Sequence, residues 1–114
     1  MPYVESYTFG MIKIDGHSYT SDLKIFPDKV KPGWWRAEGH LLCINDIGDV
    51  VSASPEIIII GTGAAGALKV PDEVRKYIES RGIKLIILPT REAIEKHNSL
   101  SSRKNIITCL HLTC

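Results

Sequence analysis

Glu56 to Gly66 reads EIIIIGTGAAG, in which four consecutive isoleucines run directly into a loop with three glycines. Isoleucine is restricted at its first side-chain torsion and fits a pleated sheet better than a helix. An unbroken apolar run of this length is typical of a strand that is buried on both faces, as in a parallel sheet covered by helices. The sequence therefore predicts a central strand at residues 56–60, with a ligand-facing loop directly after it.

Downstream of this strand the chain alternates helices and strands. The pattern predicts a helix from Pro71 to about Arg81, a second buried strand at Ile83–Leu88, a helix from Arg91 to about Ser101 capped by Thr90, and a last strand at Asn105–His111. We expect right-handed crossovers between these strands, and strands that are at least partly parallel.

A hairpin is predicted near the start of the chain. Residues 8–14 and 17–26 both alternate apolar and polar side chains, and Asp15-Gly16 lies between them. Asp-Gly favours a type I′ turn, which needs positive φ at both central residues. A short helix is also predicted from Asn45 or Asp46 to about Ala53. The predicted fold is a single α/β domain over residues 1–114, with three layers, a mixed central sheet with parallel strands flanked by helices, and an N-terminal antiparallel β-hairpin layer.

The composition is that of an ordinary globular protein. The 114 residues are 44% hydrophobic and 24% charged, with a formal net charge of +1. This balance gives no electrostatic reason to expect nucleic acid as a partner, and no apolar run approaches the roughly 20 residues of a membrane span. The start of the chain lacks a secretory pattern, and the three cysteines include no CxxC pair. We therefore expect reduced thiols and a cytoplasmic location, with neither nucleic acid nor membrane as a partner.

Gly61, Gly63 and Gly66 match the GxGxxG pattern of dinucleotide-binding loops. In those proteins the loop opens directly onto a helix, whereas here residues 67–70 intervene before Pro71. The pattern therefore predicts no dinucleotide cofactor. Two alternatives stay open: a close-packed turn, which glycine permits sterically, or a small-anion or ligand pocket, which requires free loop amides. The ligand-binding residues of such a pocket are predicted to be Gly61, Thr62, Gly63, Gly66, Thr90, Arg36 and His111.

Trp34 and Trp35 are predicted to form an interface. Adjacent residues of an extended segment face opposite sides, so one ring belongs to the core and the other is exposed. An exposed tryptophan beside Arg36 is a common anchor for a protein partner or for self-association. The alternative is that the second ring only covers the arginine stem.

Cys109, His111 and Cys114 are spaced so that two interpretations arise, a metal site or a thiol–histidine pair. A structural zinc site needs four ligands, and only His40 or Cys43 could add to this set. A thiol nucleophile needs a base within hydrogen-bond reach, which spacing alone does not establish. We therefore predict no metal ligands and assign no catalytic residues.

Several short motifs, in this order and spacing, identify a family. They are Phe9-Gly10 with Ile14-x-Gly16 and Tyr19-x-x-Asp22; Trp34-Trp35-Arg36-x-x-Gly39-His40; Pro55-Glu56 leading into Gly61-Thr62-Gly63; Gly66-Ala67-Leu68-x-Val70; Thr90 with Ala93 and Asn98; and Leu110-His111-Leu112-Thr113-Cys114. On these motifs the sequence resembles a family of small domains of unknown function. The family includes archaeal and bacterial hypothetical proteins, the adipogenesis-associated domain protein and a mitochondrial assembly factor for respiratory complex I. The resemblance implies a three-layer α/β fold with a mixed central sheet and an added β-layer, and it implies no established activity or catalytic residue.

Two functions follow from these observations. The first is a non-enzymatic binding or assembly-accessory protein that uses the Trp34-Trp35 region. The second is a small-molecule or anion-binding protein that uses the loop from Gly61 to Gly66, with enzymatic activity left open.

Overall fold

Residues 2–114 are described by the computed structural model, and they form two β-sheets and three α-helices. The elements in chain order are β1 (Val4–Thr8), β2 (Met11–Ile14), β3 (His17–Tyr19), β4 (Leu23–Phe26), β5 (Lys29–Pro32), a 3₁₀ turn (Ile44–Ile47), α1 (Gly48–Ser52), β6 (Ile57–Gly61), α2 (Asp72–Ser80), β7 (Lys84–Leu88), α3 (Thr90–Leu100) and β8 (Ile106–Leu110).

The larger sheet has the strand order β5-β4-β8-β6-β7. Its strands β8, β6 and β7 are parallel, whereas β4 runs antiparallel to both β5 and β8. The smaller sheet, β1-β2-β3, is wholly antiparallel. The predicted α/β fold with a mixed sheet and an added antiparallel layer is therefore confirmed.

The isoleucines of β6 face two separate cores in alternation. Ile57 and Ile59 pack with α3 and the smaller sheet, whereas Ile58 and Ile60 pack with α1 and α2 on the opposite face. All four side chains are buried. This double burial gives the fold its three layers, and it explains why the strand carries no polar residue between its isoleucines.

The predicted hairpin forms, but its strands are shorter than the alternating pattern suggests. Asp15 and Gly16 have φ of 47° and 83°, the positive values of a type I′ turn between β2 and β3. The stretch 8–14 is not one strand, because the chain reverses at Phe9-Gly10 between β1 and β2. The stretch 17–26 is also divided, since β3 and β4 lie in different sheets.

Two hydrogen bonds, one to a side chain and one between main-chain groups, account for the division between β3 and β4. The Ser21 hydroxyl accepts the Gly33 N–H at 2.9 Å, and the Asp22 main-chain oxygen accepts the Trp34 N–H at 2.9 Å. These contacts tie residues 21 and 22 to the segment after β5, so the chain leaves the smaller sheet at this point. Alternation along the sequence carries no information about such partners.

The predicted helices form, with two differences at their boundaries. The segment near Asn45 begins as a 3₁₀ turn and becomes helical only at Gly48, with Val50 and Val51 buried as expected. Thr90 is the first residue of α3 and makes no capping hydrogen bond to its own helix, because its hydroxyl contacts the glycine loop. The cap position belongs to Pro89.

Strand β7 is less buried than its apolar sequence predicts. Among the described residues it pairs only with β6, and it forms the edge of the larger sheet. Four of its five side chains are half-buried and Lys84 is exposed. An edge position leaves one side of a strand without a neighbour, which is the physical reason for the difference.

Candidate functional site

Arg36 is the centre of a buried polar cluster at the carboxyl end of β8. Its side chain is only 5% exposed. The guanidinium stacks on the ring of Trp34, with 4.7 Å between the guanidinium carbon and the ring centroid. Nη2 donates to Asp22 Oδ2 at 2.8 Å and to the Gly39 main-chain oxygen at 3.0 Å. These contacts fix the guanidinium against the start of β4.

The remaining donors of Arg36 have no acceptor within the described part of the chain. Nη2 carries two hydrogens, and Asp22 and Gly39 take both. Nε and Nη1 are buried and lack a hydrogen-bond partner. A guanidinium has five N–H donors, so three of them are unmet. A buried donor without an acceptor costs on the order of 1–3 kcal/mol, and more when it is charged.

Asp22 accepts three hydrogen bonds and is held ionised. Its Oδ2 accepts from Arg36 Nη2 at 2.8 Å and from His111 Nδ1 at 2.8 Å, and its Oδ1 accepts from the Leu112 N–H at 2.7 Å. Burial on its own raises the pKa of Asp22. The hydrogen bonds from His111, Leu112 and Arg36 together outweigh burial and hold the pKa below its ordinary value.

His111 completes the cluster, and the hydrogen-bond network assigns its tautomer. Its Nδ1 lies 3.2 Å from Arg36 Nη2, but both Nη2 hydrogens are already taken, so Nδ1 carries the hydrogen donated to Asp22. The other ring nitrogen, Nε2, lies 3.5 Å from the Thr113 hydroxyl. The ring of His40 meets the His111 ring edge-on at 5.6 Å. Asp22 therefore orients His111 and neutralises Arg36 at the same time.

An open cleft of about 290 Å³ lies beside this cluster. Asp22 and Arg36 supply its charged wall, and Trp34 and Trp35 line it from the segment after β5. Trp34 is buried with 7% exposure, whereas Trp35 is 87% exposed, as the alternation of an extended segment predicts. The volume is near the lower end of the range for small-molecule sites.

The glycine loop, residues 61–66, packs against the last residues of the chain. Every main-chain amide from residue 62 to residue 68 donates to a protein oxygen; the acceptors are the main-chain oxygens of Leu88, Thr113, Cys114, Gly63 and Thr62, and the Thr90 hydroxyl. Gly63 has a φ of 105°, and a Cβ there would collide with the main-chain carbonyl group of Cys114. The loop therefore leaves no amide free, which favours the close-packed turn over a pocket built on loop amides.

The predicted site residues fall into two groups, the glycine loop and the Arg36–His111 cluster, and the Thr90 hydroxyl links them. This hydroxyl accepts the Gly63 N–H and donates to the His111 main-chain oxygen. Arg36 and His111 lie together as predicted, with Asp22 between them. Asp22 was absent from the predicted site, and the one signal for it in the sequence is its place in the Tyr19-x-x-Asp22 motif.

Cys109 and Cys114 lie in different environments, one buried and the other exposed. Burial raises the pKa of the Cys109 thiol to about 12, whereas Cys114 is exposed. Within residues 2–114, no three His, Cys, Asp or Glu side chains are grouped closely enough to hold a metal ion. None of the helices in the described residues has the length and apolar character to cross a membrane.

Solved structures of other proteins share this fold. The conserved hypothetical protein PH1505 from Pyrococcus horikoshii OT3 is 26% identical, with a TM-score of 0.86 over 97% of this chain and 98% of that one. An outer membrane protein from Bartonella henselae is 21% identical, with a TM-score of 0.85 over 99% of this chain and 96% of that one. A Mth938-like domain from Bordetella pertussis is 15% identical, with a TM-score of 0.76 over 97% of this chain and 85% of that one. The last two likenesses concern the fold alone.

Family membership agrees with the resemblance drawn from the motifs. The family described as "Protein of unknown function (DUF498/DUF598)" is matched over residues 4–111, which is nearly the whole chain. This protein therefore belongs to that family of unknown function.

Proposed function

We propose that this protein binds a small molecule that places a hydrogen-bond acceptor on Arg36 in the adjoining cleft. One observation carries the proposal: three N–H donors of a guanidinium with a 5% exposed side chain have no acceptor within residues 2–114. Buried charged groups in folded proteins are normally paired and hydrogen-bonded. Unmet donors on a residue that lines a cleft therefore favour that cleft as a place for a ligand.

A purely structural role accounts for only part of this arrangement. Nη2 alone joins Asp22 to the Gly39 main chain, and a lysine could make the same ion pair. Nε and Nη1 add nothing to that link. They have almost no exposed area, so a ligand contacts them only with a local shift of the side chains that cover the guanidinium.

We place this binding activity in the cytoplasm. Cys43, Cys109 and Cys114 are all free thiols, which is the usual state of cysteines in that compartment.

A thermal-shift screen with Arg36→Lys as the comparison tests the proposal. Lysine keeps the positive charge beside Asp22 but lacks the additional donors. At ten times its dissociation constant a ligand stabilises the native state by about 1.4 kcal/mol, or about 5 °C in melting temperature for a domain of this size. We expect a carboxylate or carbonyl compound to produce this shift in the wild type and in the control Arg75→Lys, which changes an exposed arginine on α2. An unchanged shift in Arg36→Lys, or no shift with any acceptor-bearing compound, would refute the proposal.

A second candidate function, the assembly-accessory role, is favoured by Trp35. Its ring is 87% exposed, and it borders both the Arg36 cleft and a second cleft of about 390 Å³ that contains Lys24, Lys31 and Asp49. Exposed tryptophans at such rims are frequent anchors of interfaces. We propose self-association through this ring as the testable form. Sedimentation analysis should show a concentration-dependent dimer that Trp35→Ala abolishes, and a monomer at all concentrations would rule it out.

A further inference from the structure

We infer that the ligand of the Arg36 cleft is a singly charged carboxylate on a flat, single-ring body, rather than a phosphate or a flexible aliphatic acid. This inference rests on the proposed function, since it concerns the same cleft. Charge, surface and volume each restrict the class of ligand.

Charge argues against a dianion. Asp22 and Arg36 are the charged residues of the cleft wall, and they already neutralise each other at 2.8 Å. A carboxylate adds one negative charge and meets the unmet donors of the guanidinium. A phosphate monoester adds nearly two charges next to the Asp22 carboxylate, and no second cation among the described residues lines the cleft. Like charges repel strongly in a partly desolvated site, so a phosphate is disfavoured.

The exposed indole argues for a flat body. One face of Trp34 is covered by the Arg36 guanidinium. Trp35 lines the same cleft and is 87% exposed, so its π-surface is available. Aromatic rings gain from offset stacking beyond the area that they bury, and a puckered ring of the same size does not.

The volume restricts the size of the body. A cavity of about 150 Å³ is enough to bind benzene. The cleft has about 290 Å³, which accommodates one ring together with a carboxylate. A dinucleotide or a coenzyme with several rings does not fit within it.

Four matched probes test the inference by NMR titration of the full chain. Benzoate is the expected ligand, benzamide has its shape without the charge, cyclohexanecarboxylate has its charge without the flat ring, and phenyl phosphate has its ring with a higher charge. The indole N–H signals of Trp34 and Trp35 report on the cleft, since these are the two tryptophans of the chain. We expect benzoate to bind at least tenfold more tightly than phenyl phosphate or benzamide, and several-fold more tightly than cyclohexanecarboxylate.

Variants separate the two parts of the claim. Trp35→Ala should abolish the preference for benzoate over cyclohexanecarboxylate while leaving the unfolding midpoint unchanged, because this ring is almost fully exposed. Arg36→Lys should weaken the binding of benzoate at least tenfold, because lysine keeps the positive charge but lacks the Nε and Nη1 donors.

The ways in which the inference can fail are distinguishable. If phenyl phosphate or benzamide binds more tightly than benzoate, and this binding depends on Arg36, the ligand class is overturned and the proposed function stands. Equal binding of benzoate and cyclohexanecarboxylate would overturn the flat body alone. If no probe moves either indole signal at tens of millimolar, both the ligand class and the proposed function fall.

Discussion

Replacing Asp22 by asparagine should destabilise the protein by about 3 kcal/mol at pH 7. The substitution removes one negative charge with almost no change in volume. Asp22 accepts hydrogen bonds from Arg36, His111 and Leu112, so the substitution affects three hydrogen bonds at one site. The prediction therefore tests whether this cluster holds the fold together as well as forming the cleft.

The magnitude follows from the contacts of the two carboxylate oxygens. An asparagine Oδ1 can still accept the Leu112 N–H, but its Nδ2 then faces the donors of Arg36 and His111. Removing one partner of a buried ion pair costs about 3–5 kcal/mol, because the other charge stays buried and unpaired. Asp22 retains 16% exposure beside a 5% exposed Arg36, so we expect the lower end of that range. In melting temperature this is a loss of about 12 °C.

The same cluster predicts how the difference depends on pH. The folded-state pKa of Asp22 lies below the unfolded value of about 3.8, so the folded protein loses the proton more readily than the unfolded chain does. The stabilisation by Asp22 is therefore complete above the unfolded pKa and is lost as the pH falls through that value toward the folded pKa. The stabilities of the wild type and of Asp22→Asn should converge in acid.

Urea unfolding at pH 7 and at about pH 3 measures both effects. Asp28→Asn is the matched control, since Asp28 is exposed and its loss should change little. Two results would contradict the stabilising role of the Asp22–Arg36 ion pair. One is a free energy of unfolding for Asp22→Asn within about 0.5 kcal/mol of this control at pH 7; the other is a stability deficit of Asp22→Asn that persists unchanged in acid.

Three further predictions concern other parts of the molecule. Gly63→Ala should lower the free energy of unfolding by about 3 kcal/mol or more, measured by urea unfolding, because its Cβ would meet the main chain of Cys114. Gly16→Ala is the control: Gly16 also has positive φ but has open space around it, so the cost should be only about 1 kcal/mol. Equal costs for the two variants would contradict the close approach at Gly63. Burial lowers the pKa of His97, so stability should fall as the pH drops below the unfolded value of about 6.5, and His97→Gln should reduce that fall; identical pH profiles for the two proteins would contradict it. Alkylation of the native protein, followed by mass spectrometry, should modify Cys114 and spare Cys109, and rapid modification of Cys109 would contradict its burial.

Local chemistry made much of the fold predictable. Four isoleucines in a row indicate burial on both faces, and Asp15-Gly16 indicates a type I′ turn, because each signal depends only on neighbouring residues. The division between β3 and β4 was not predictable in the same way. It depends on Ser21 and Asp22 binding the segment that begins at Gly33, and alternation continues through these residues regardless.

The candidate site was predictable only in pieces. The opposite environments of Trp34 and Trp35 follow from the geometry of an extended segment, and Arg36 and His111 were both named from the sequence. Their link through Asp22 was missed, because the partners are 14 and 89 residues away along the chain. That contact depends on the pairing of β4 with β8, a tertiary feature that no local pattern encodes.

The glycine pattern and the Arg36 cluster are parts of one arrangement. The Gly61 main-chain oxygen accepts the His111 N–H at 3.0 Å, and the Thr90 hydroxyl donates to the His111 main-chain oxygen. The amides of residues 64, 65 and 67 hold the segment that follows His111. The amides of this loop thus bind the protein's own main chain as the amides of similar loops bind phosphates, and the loop fixes His111, whose imidazole donates to Asp22. Glycine is needed at position 63 because the held segment passes too close for a side chain, so the sequence pattern that resembles a cofactor loop holds the chain segment that carries His111 beside Asp22 and Arg36.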